Sequence, residues 1–200
     1  MPATGRRRAP RDQSGTAAAA AGPGNPAASE EAAREICLRL LTAAPKTRAQ
    51  LATALRRRGI PDDVADAVLG RFTEVGLIDD AAFARAWVAS RHHGRGLARR
   101  VLETELGQRG VAADAVRDAV SAVSAEDELE TARRLVAKRA AASRGRPFPA
   151  RVRQLVGMLA RKGYPPGLAY QVVREALDAE GDTSPESWES GAALGEDVLG

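Results

Sequence analysis

Two pairs of residues in this chain carry side chains able to do chemistry. Asp79 and Asp80 are adjacent, as are His92 and His93, and Arg91, Arg95, Arg99 and Arg100 surround the second pair. Neighbouring carboxylates hold divalent cations or exchange protons, and histidines bind metals or act as general acid and base. Spacing decides how far each idea goes. Adjacent residues on a helix point about 100° apart, whereas zinc sites built on one helix pair histidines at i and i+4. The chain has two histidines and one cysteine, so nothing completes a ligand set. A histidine-based triad lacks a serine in an elbow motif such as G-x-S-x-G. "GRG" at 94–96 has neither the further glycines nor the preceding strand of a phosphate cradle, and it reads as a turn. Cys37, between Ile36 and Leu38, reads as a small buried thiol. Asp79 and Asp80 follow Gly76 and precede an apolar-periodic segment; one is expected to cap that helix and the other to place charge at its positive end. A cation or acid–base role for the pair is the alternative. No catalytic, cofactor or metal residue is therefore expected.

The arginines remain, and the charge balance gives them weight. Formal net charge is +4, but it is unevenly spread. Residues 131–174 contain no acid and eleven basic side chains, from Arg133 to Arg174. Residues 181–200 reverse this, with Asp182, Glu186, Glu189, Glu196 and Asp197 and no base. Compositional bias toward arginine raises the count but does not remove acids from a long run. The acid-free stretch points to phosphates or an acidic protein surface. Arg133, Arg134, Arg139, Arg151 and Arg153 are its candidate contact residues; Arg91, Arg95, Arg99 and Arg100 form a second cluster. A merely solvated face stays open for both.

The elements that must position these residues repeat along the chain. "LATALRRRGIPDDVADAVL" from Leu51, "LETELGQRGVAADAVRDAV" from Leu102 and "LVGMLARKGYPPGLAYQVV" from Leu155 align without gaps. Each has leucines four apart, which share one helix face. A basic residue then precedes a glycine: Arg58-Gly59, Arg109-Gly110 and Lys162-Gly163. The cation suits a helix C-terminus and the glycine its left-handed C′ position. An apolar residue follows (Ile60, Val111, Tyr164), and a new helix starts, with Pro61 and Pro165 near two of the starts. A further helix precedes each unit. Ser29 is the expected N-cap of the first. Thr47 with Gln50, and Ser124 with Asp127, have capping-box spacing. Phe83 and Trp87 are i, i+4 on the fourth helix and are expected to form core locking the first module to the second; stacking on bases is the alternative.

The expected fold is all-α, an elongated tandem array of three three-helix repeats covering 29–78, 79–123 and 124–180. Residues 1–28 read as a disordered basic tail and 181–200 as an acidic disordered tail. Arg6–Arg8 lack a following apolar region, so no export signal is read, and a cytoplasmic monomer is expected. Modules of about 50 residues bury little surface alone and gain stability from stacked neighbours.

"GLIDDAAFARAWVASR", followed by "GRGLARRVLETELGQRGV", resembles the core of the RecX family of regulatory proteins, and the likeness runs over about residues 30–178. The resemblance implies three three-helix repeats. It also implies a partner, the RecA recombinase filament on single-stranded DNA, whose ATPase, strand exchange and SOS co-protease activity such proteins modulate from the filament groove. Arg91, Arg95, Arg99 and Arg100 fall within the matching motif. A different reading of the same residues is a helical protein that binds single- or double-stranded DNA without sequence preference and without a recombinase partner. The second halves of the repeats, such as "PDDVADAV", are poor base readers.

Overall fold

Leucines four apart, followed by a glycine that ends the helix, set the rhythm of the whole molecule. The computed structural model describes residues 26–181 and contains nine α-helices in that range. The first trio is α1 (Pro26–Ala43), α2 (Arg48–Arg56) and α3 (Asp62–Glu74). The second is α4 (Asp80–Arg95), α5 (Arg99–Gln108) and α6 (Ala113–Ser121). The third is α7 (Ala125–Ala140), a single 3-10 turn (Ala141–Ser143), α8 (Phe148–Arg161) and α9 (Pro166–Ala179). The fold is all-α, a tandem array of three three-helix repeats, and every extensive helix pairing lies inside one trio. The stretches expected to be tails lie outside the described residues, except for positions 26–28 and 181.

Each trio has its own core, and the third also takes in Ala98 from the second module. Ala33, Cys37, Leu51, Leu55, Leu69 and Phe72 fill the first. Ala84, Val88, Leu102, Leu106, Val116 and Val120 fill the second, and Val136, Val152, Leu155, Leu159, Val173 and Leu177 the third. The repeated leucines have no exposed surface, and each such burial contributes about 2 kcal/mol. Burial also raises the Cys37 thiol pKa, which disfavours the thiolate a nucleophile needs.

Local signals set the helix ends. The Thr47 hydroxyl accepts from the Gln50 amide while Gln50 Oε1 accepts from the Thr47 amide, both at 3.2 Å. Ser124 and Asp127 form the second capping box. Hydrogen bonds from the Ser124 side chain and backbone hold the Asp127 carboxyl below the usual carboxylate range. Gly59, Gly110 and Gly163 all take left-handed φ, at 74°, 74° and 90°. Two local expectations fail. Helix α1 begins at Pro26, so Ser29 lies within its first turn instead of capping it. Helix α4 runs through Gly94 to Arg95, and only Gly96, at φ 63°, stops it.

The modules meet through polar contacts that recur at both joints. At the first, Asp80 Oδ1 accepts from the Arg48 amide at 2.9 Å, and the Thr47 hydroxyl donates to the Arg109 carbonyl at 2.6 Å. At the second, Glu128 Oε1 accepts from the Arg99 amide at 2.8 Å, and the Ala98 amide donates to the Lys162 carbonyl at 2.9 Å. In both, a carboxylate from the next module's first helix serves the N-terminus of the preceding module's second helix. That N-terminus also faces the C-terminus of the next module's second helix, so the helix dipoles run head to tail. Gly110 lies against Ala49 and Gly163 against Val101, so close that an added Cβ would come within 2.3 Å and 2.5 Å of a side-chain carbon.

These joints revise one expectation and extend another. Asp79 caps α4 through the Ala82 amide at 2.7 Å; Asp80 places its charge in the first turn of α4, as expected, and also reaches back to α2. Phe83 and Trp87 pack on the second module's own core and do not lock it to the first. The Trp87 indole donates to Glu105 at 2.7 Å. The guanidinium carbons of Arg109 and Arg91 stand 3.8 Å and 4.1 Å from its ring centroid. Those cations occupy the ring surface a nucleobase would need.

Candidate functional site

The second joint gathers Arg95, Arg99 and Arg100 of the central motif, whereas Arg91 lies over Trp87. The α4–α5 connection, Arg95 to Ala98, is clamped onto the α8–α9 turn. Besides the Ala98–Lys162 bond, the Lys162 ammonium donates to the Arg95 carbonyl and the Tyr164 hydroxyl donates to the Gly96 carbonyl at 3.1 Å. Burial first, and the Glu128 charge second, push the Tyr164 phenol up to about 12. Lys162 therefore joins Arg95, Arg99 and Arg100, although it comes from the next module. The Arg100 and Arg95 side chains are exposed and make no hydrogen bond or ion pair among the described residues. Arg99 is committed: its Nε donates to Glu128 at 2.8 Å, with Glu128 only 5% exposed. Arg100 also borders a crevice of about 320 Å³ with Val101, Thr104, Ala160 and Gly163.

His92 sits beneath this cluster and is 3% exposed. Its Nδ1 lies 2.9 Å from the Leu97 carbonyl and its Nε2 3.2 Å from the Thr131 hydroxyl. A carbonyl only accepts, so Nδ1 carries a proton, and in the neutral ring Nε2 accepts from Thr131. His93 instead bonds the Ala89 carbonyl at 2.8 Å. The two rings belong to different environments, and no group of three or more potential metal ligands occurs among the described residues.

In the third module the acid-free sequence finds acids from outside it. Arg133 donates to Glu175 at 3.0 Å, a pairing that lowers the Glu175 pKa, with help from Gln171. Arg134 donates to the Thr131 hydroxyl at 3.3 Å. Arg139 and Arg153 are exposed and without a side-chain partner among the described residues. Arg151 is a correction to the expected contact set. It is 2% exposed and donates to Ser143 Oγ at 3.1 Å and to Glu180 at 2.6 Å. Those bonds, Arg151 first and Arg144 second, hold the Glu180 carboxyl below its usual range. Arg151 fastens α8 to the end of α9 and presents no surface to a partner.

Comparison with known proteins fits this architecture. Models for the first, second and third three-helix domains of RecX match residues 33–72, 79–120 and 126–173. The chain is 64% identical over 162 residues to the regulatory protein RecX of Thermobifida fusca, covering 80% of this chain and 88% of that one. Identity to the regulatory protein RecX of Streptomyces coelicolor is 57% over 161 residues, covering 80% and 86%. The chain belongs to the RecX family. A crystal structure of RecX from Lactobacillus salivarius shares the fold, with TM-score 0.68 and 18% identity over 75% of this chain and 97% of that one.

In this RecX chain, sequence reasoning missed Lys162 as part of the central cluster and Glu128 as its organiser. Glu128 is 29 residues from Arg99, and no local pattern announces such a pair. The repeat alignment did carry a signal for Lys162, since it placed a cation before each glycine.

Proposed function

We propose that this protein binds the RecA filament on single-stranded DNA and damps its ATPase, strand exchange and SOS co-protease activity, with no catalysis of its own. The observation that carries the proposal is RecX family membership across all three modules. A second support is the set of uncommitted cations at the second joint and on the third module: Arg95, Arg100, Arg139 and Arg153. Arginines of this kind engage carboxylates and phosphates through charge-assisted bonds. Set along an array, they reach several filament subunits at once and obstruct the movements that accompany ATP turnover. Among the described residues no helix is long and apolar enough to cross a membrane. A monomer in the cytoplasm completes the reading.

The test is the single-stranded-DNA-dependent ATPase of the cognate RecA, titrated with this protein at about 0.15 M salt, where surface charges are substantially screened. Inhibition well below one protein per DNA site supports filament regulation. Inhibition that excess DNA abolishes leaves a nonspecific nucleic-acid binder. In direct binding to single-stranded DNA, Arg100→Gln should reduce the salt slope by about 0.7.

A further inference from the structure

Glu180 is inserted between two arginines at the point where the described chain ends. Its carboxylate takes Arg144 at 3.1 Å and Arg151 at 2.6 Å. Around that point the third module carries cations with no acid of their own. Lys138 and Arg139 close α7, Arg146 lies in the next loop, and Arg153 stands on the outer side of α8. All four are exposed and without a side-chain partner among the described residues. The nineteen residues that follow, 182–200, contain five acids and no base. Extended, they would reach about 60 Å, so reach does not limit where they lie. Five acids tethered beside four unpaired cations meet them at a high effective concentration.

We propose that the acidic segment 182–200 docks in cis on the arginine face formed by α7, the 144–147 loop and α8, and occupies it until a stronger polyanion displaces it. Glu180 is the first contact of that series, and the segment's acids continue it. Lys138, Arg139, Arg146 and Arg153 form the face. Binding of a filament or of nucleic acid there becomes an exchange of one set of anions for another. The inference concerns the face and the segment and does not depend on RecA being the partner.

Trp188 lies within the segment and supplies a reporter. Its contribution to fluorescence is the wild-type signal minus that of Trp188→Phe. Quenching by neutral acrylamide should be weaker at about 20 mM salt than at about 1 M salt, where the screening length falls to about 3 Å. The triple variant R139Q/R146Q/R153Q should lose this salt dependence. Equal quenching of Trp188 at both salts overturns the proposal, as does a salt dependence that survives in the triple variant. A full-length variant with the five acids neutralised (D182N/E186Q/E189Q/E196Q/D197N) gives a second reading. It should bind an oligothymidylate on the order of tenfold more tightly than wild type at about 50 mM salt, and the gap should close as salt rises. Unchanged affinity overturns the docking as well. If neither protein binds the oligonucleotide, the nucleic-acid part of the proposed function fails, and the Trp188 measurement alone decides the docking.

Discussion

Replacing each repeat glycine by alanine separates what the helix ending requires from what the joint requires. Gly59, Gly110 and Gly163 occupy the same turn, with φ between 74° and 90°, so alanine meets the left-handed penalty at all three. That penalty is about 1–2 kcal/mol, offset by up to about 1 kcal/mol because alanine narrows the unfolded ensemble. The net local cost is therefore about 1 kcal/mol. The surroundings then divide the three. An added Cβ at Gly59 meets nothing within 4 Å among the described residues. At Gly110 it comes within 2.3 Å of the Ala49 Cβ, an atom fixed to the α2 backbone. At Gly163 it meets Val101 Cγ2 at 2.5 Å, with Cβ and the backbone nitrogen both at 3.3 Å. Forcing such contacts costs a further ~1–3 kcal/mol. In urea unfolding, Gly59→Ala should cost about 1 kcal/mol, and Gly110→Ala and Gly163→Ala about 2–4 kcal/mol. Ala49→Gly should recover most of the excess in the Gly110→Ala background, less the roughly 0.5–1 kcal/mol a helical glycine costs. Three equal losses, or no recovery from Ala49→Gly, would refute the claim that these glycines are where the modules touch.

Four further outcomes follow from the polar contacts. Asp79→Ala and Asp80→Ala should each cost about 1 kcal/mol as lost caps; only Asp80→Ala should combine non-additively with Gly110→Ala, since both loosen the first joint, and a double-mutant cycle reads this directly. Arg151→Gln should cost about 2–3 kcal/mol by uncoupling α8 from Glu180, whereas Arg153→Gln should leave the urea midpoint unchanged and weaken polyanion binding. The pKa of Glu180 is lowered in the folded protein, so its stabilisation is full above the unfolded value of about 4.3 and fades as pH falls through the folded one; Glu180→Gln should flatten that acid limb of stability against pH. Tyr164 works in the opposite sense: its phenol is raised to about 12, so its contribution is full below about 10 and is lost as pH climbs toward the folded value, which tyrosinate absorbance compared with Tyr164→Phe would show.

Much of this molecule is decided within short stretches of chain. Leucine spacing, the Thr47–Gln50 and Ser124–Asp127 boxes and the three glycines determine helix, stop and restart, because each acts through atoms a turn or less away. Repetition of those signals determines three modules. The RecX motif is legible for the same reason, as a continuous string. What the sequence could not decide is which exposed-looking polar residues are spent inside the fold. Arg151 and Arg153 differ by two positions on one helix, so they face nearly opposite sides, and only packing shows that the first is consumed by Glu180. Asp79 and Asp80 are adjacent and alike, yet one serves its own helix and the other a helix 32 residues upstream. Phe83 and Trp87 read as a link between modules, but the joints are made by carboxylates, hydroxyls and carbonyls together with close glycine contacts. Long-range hydrogen bonds depend on where helix ends meet in space, and only the tertiary structure brings them together.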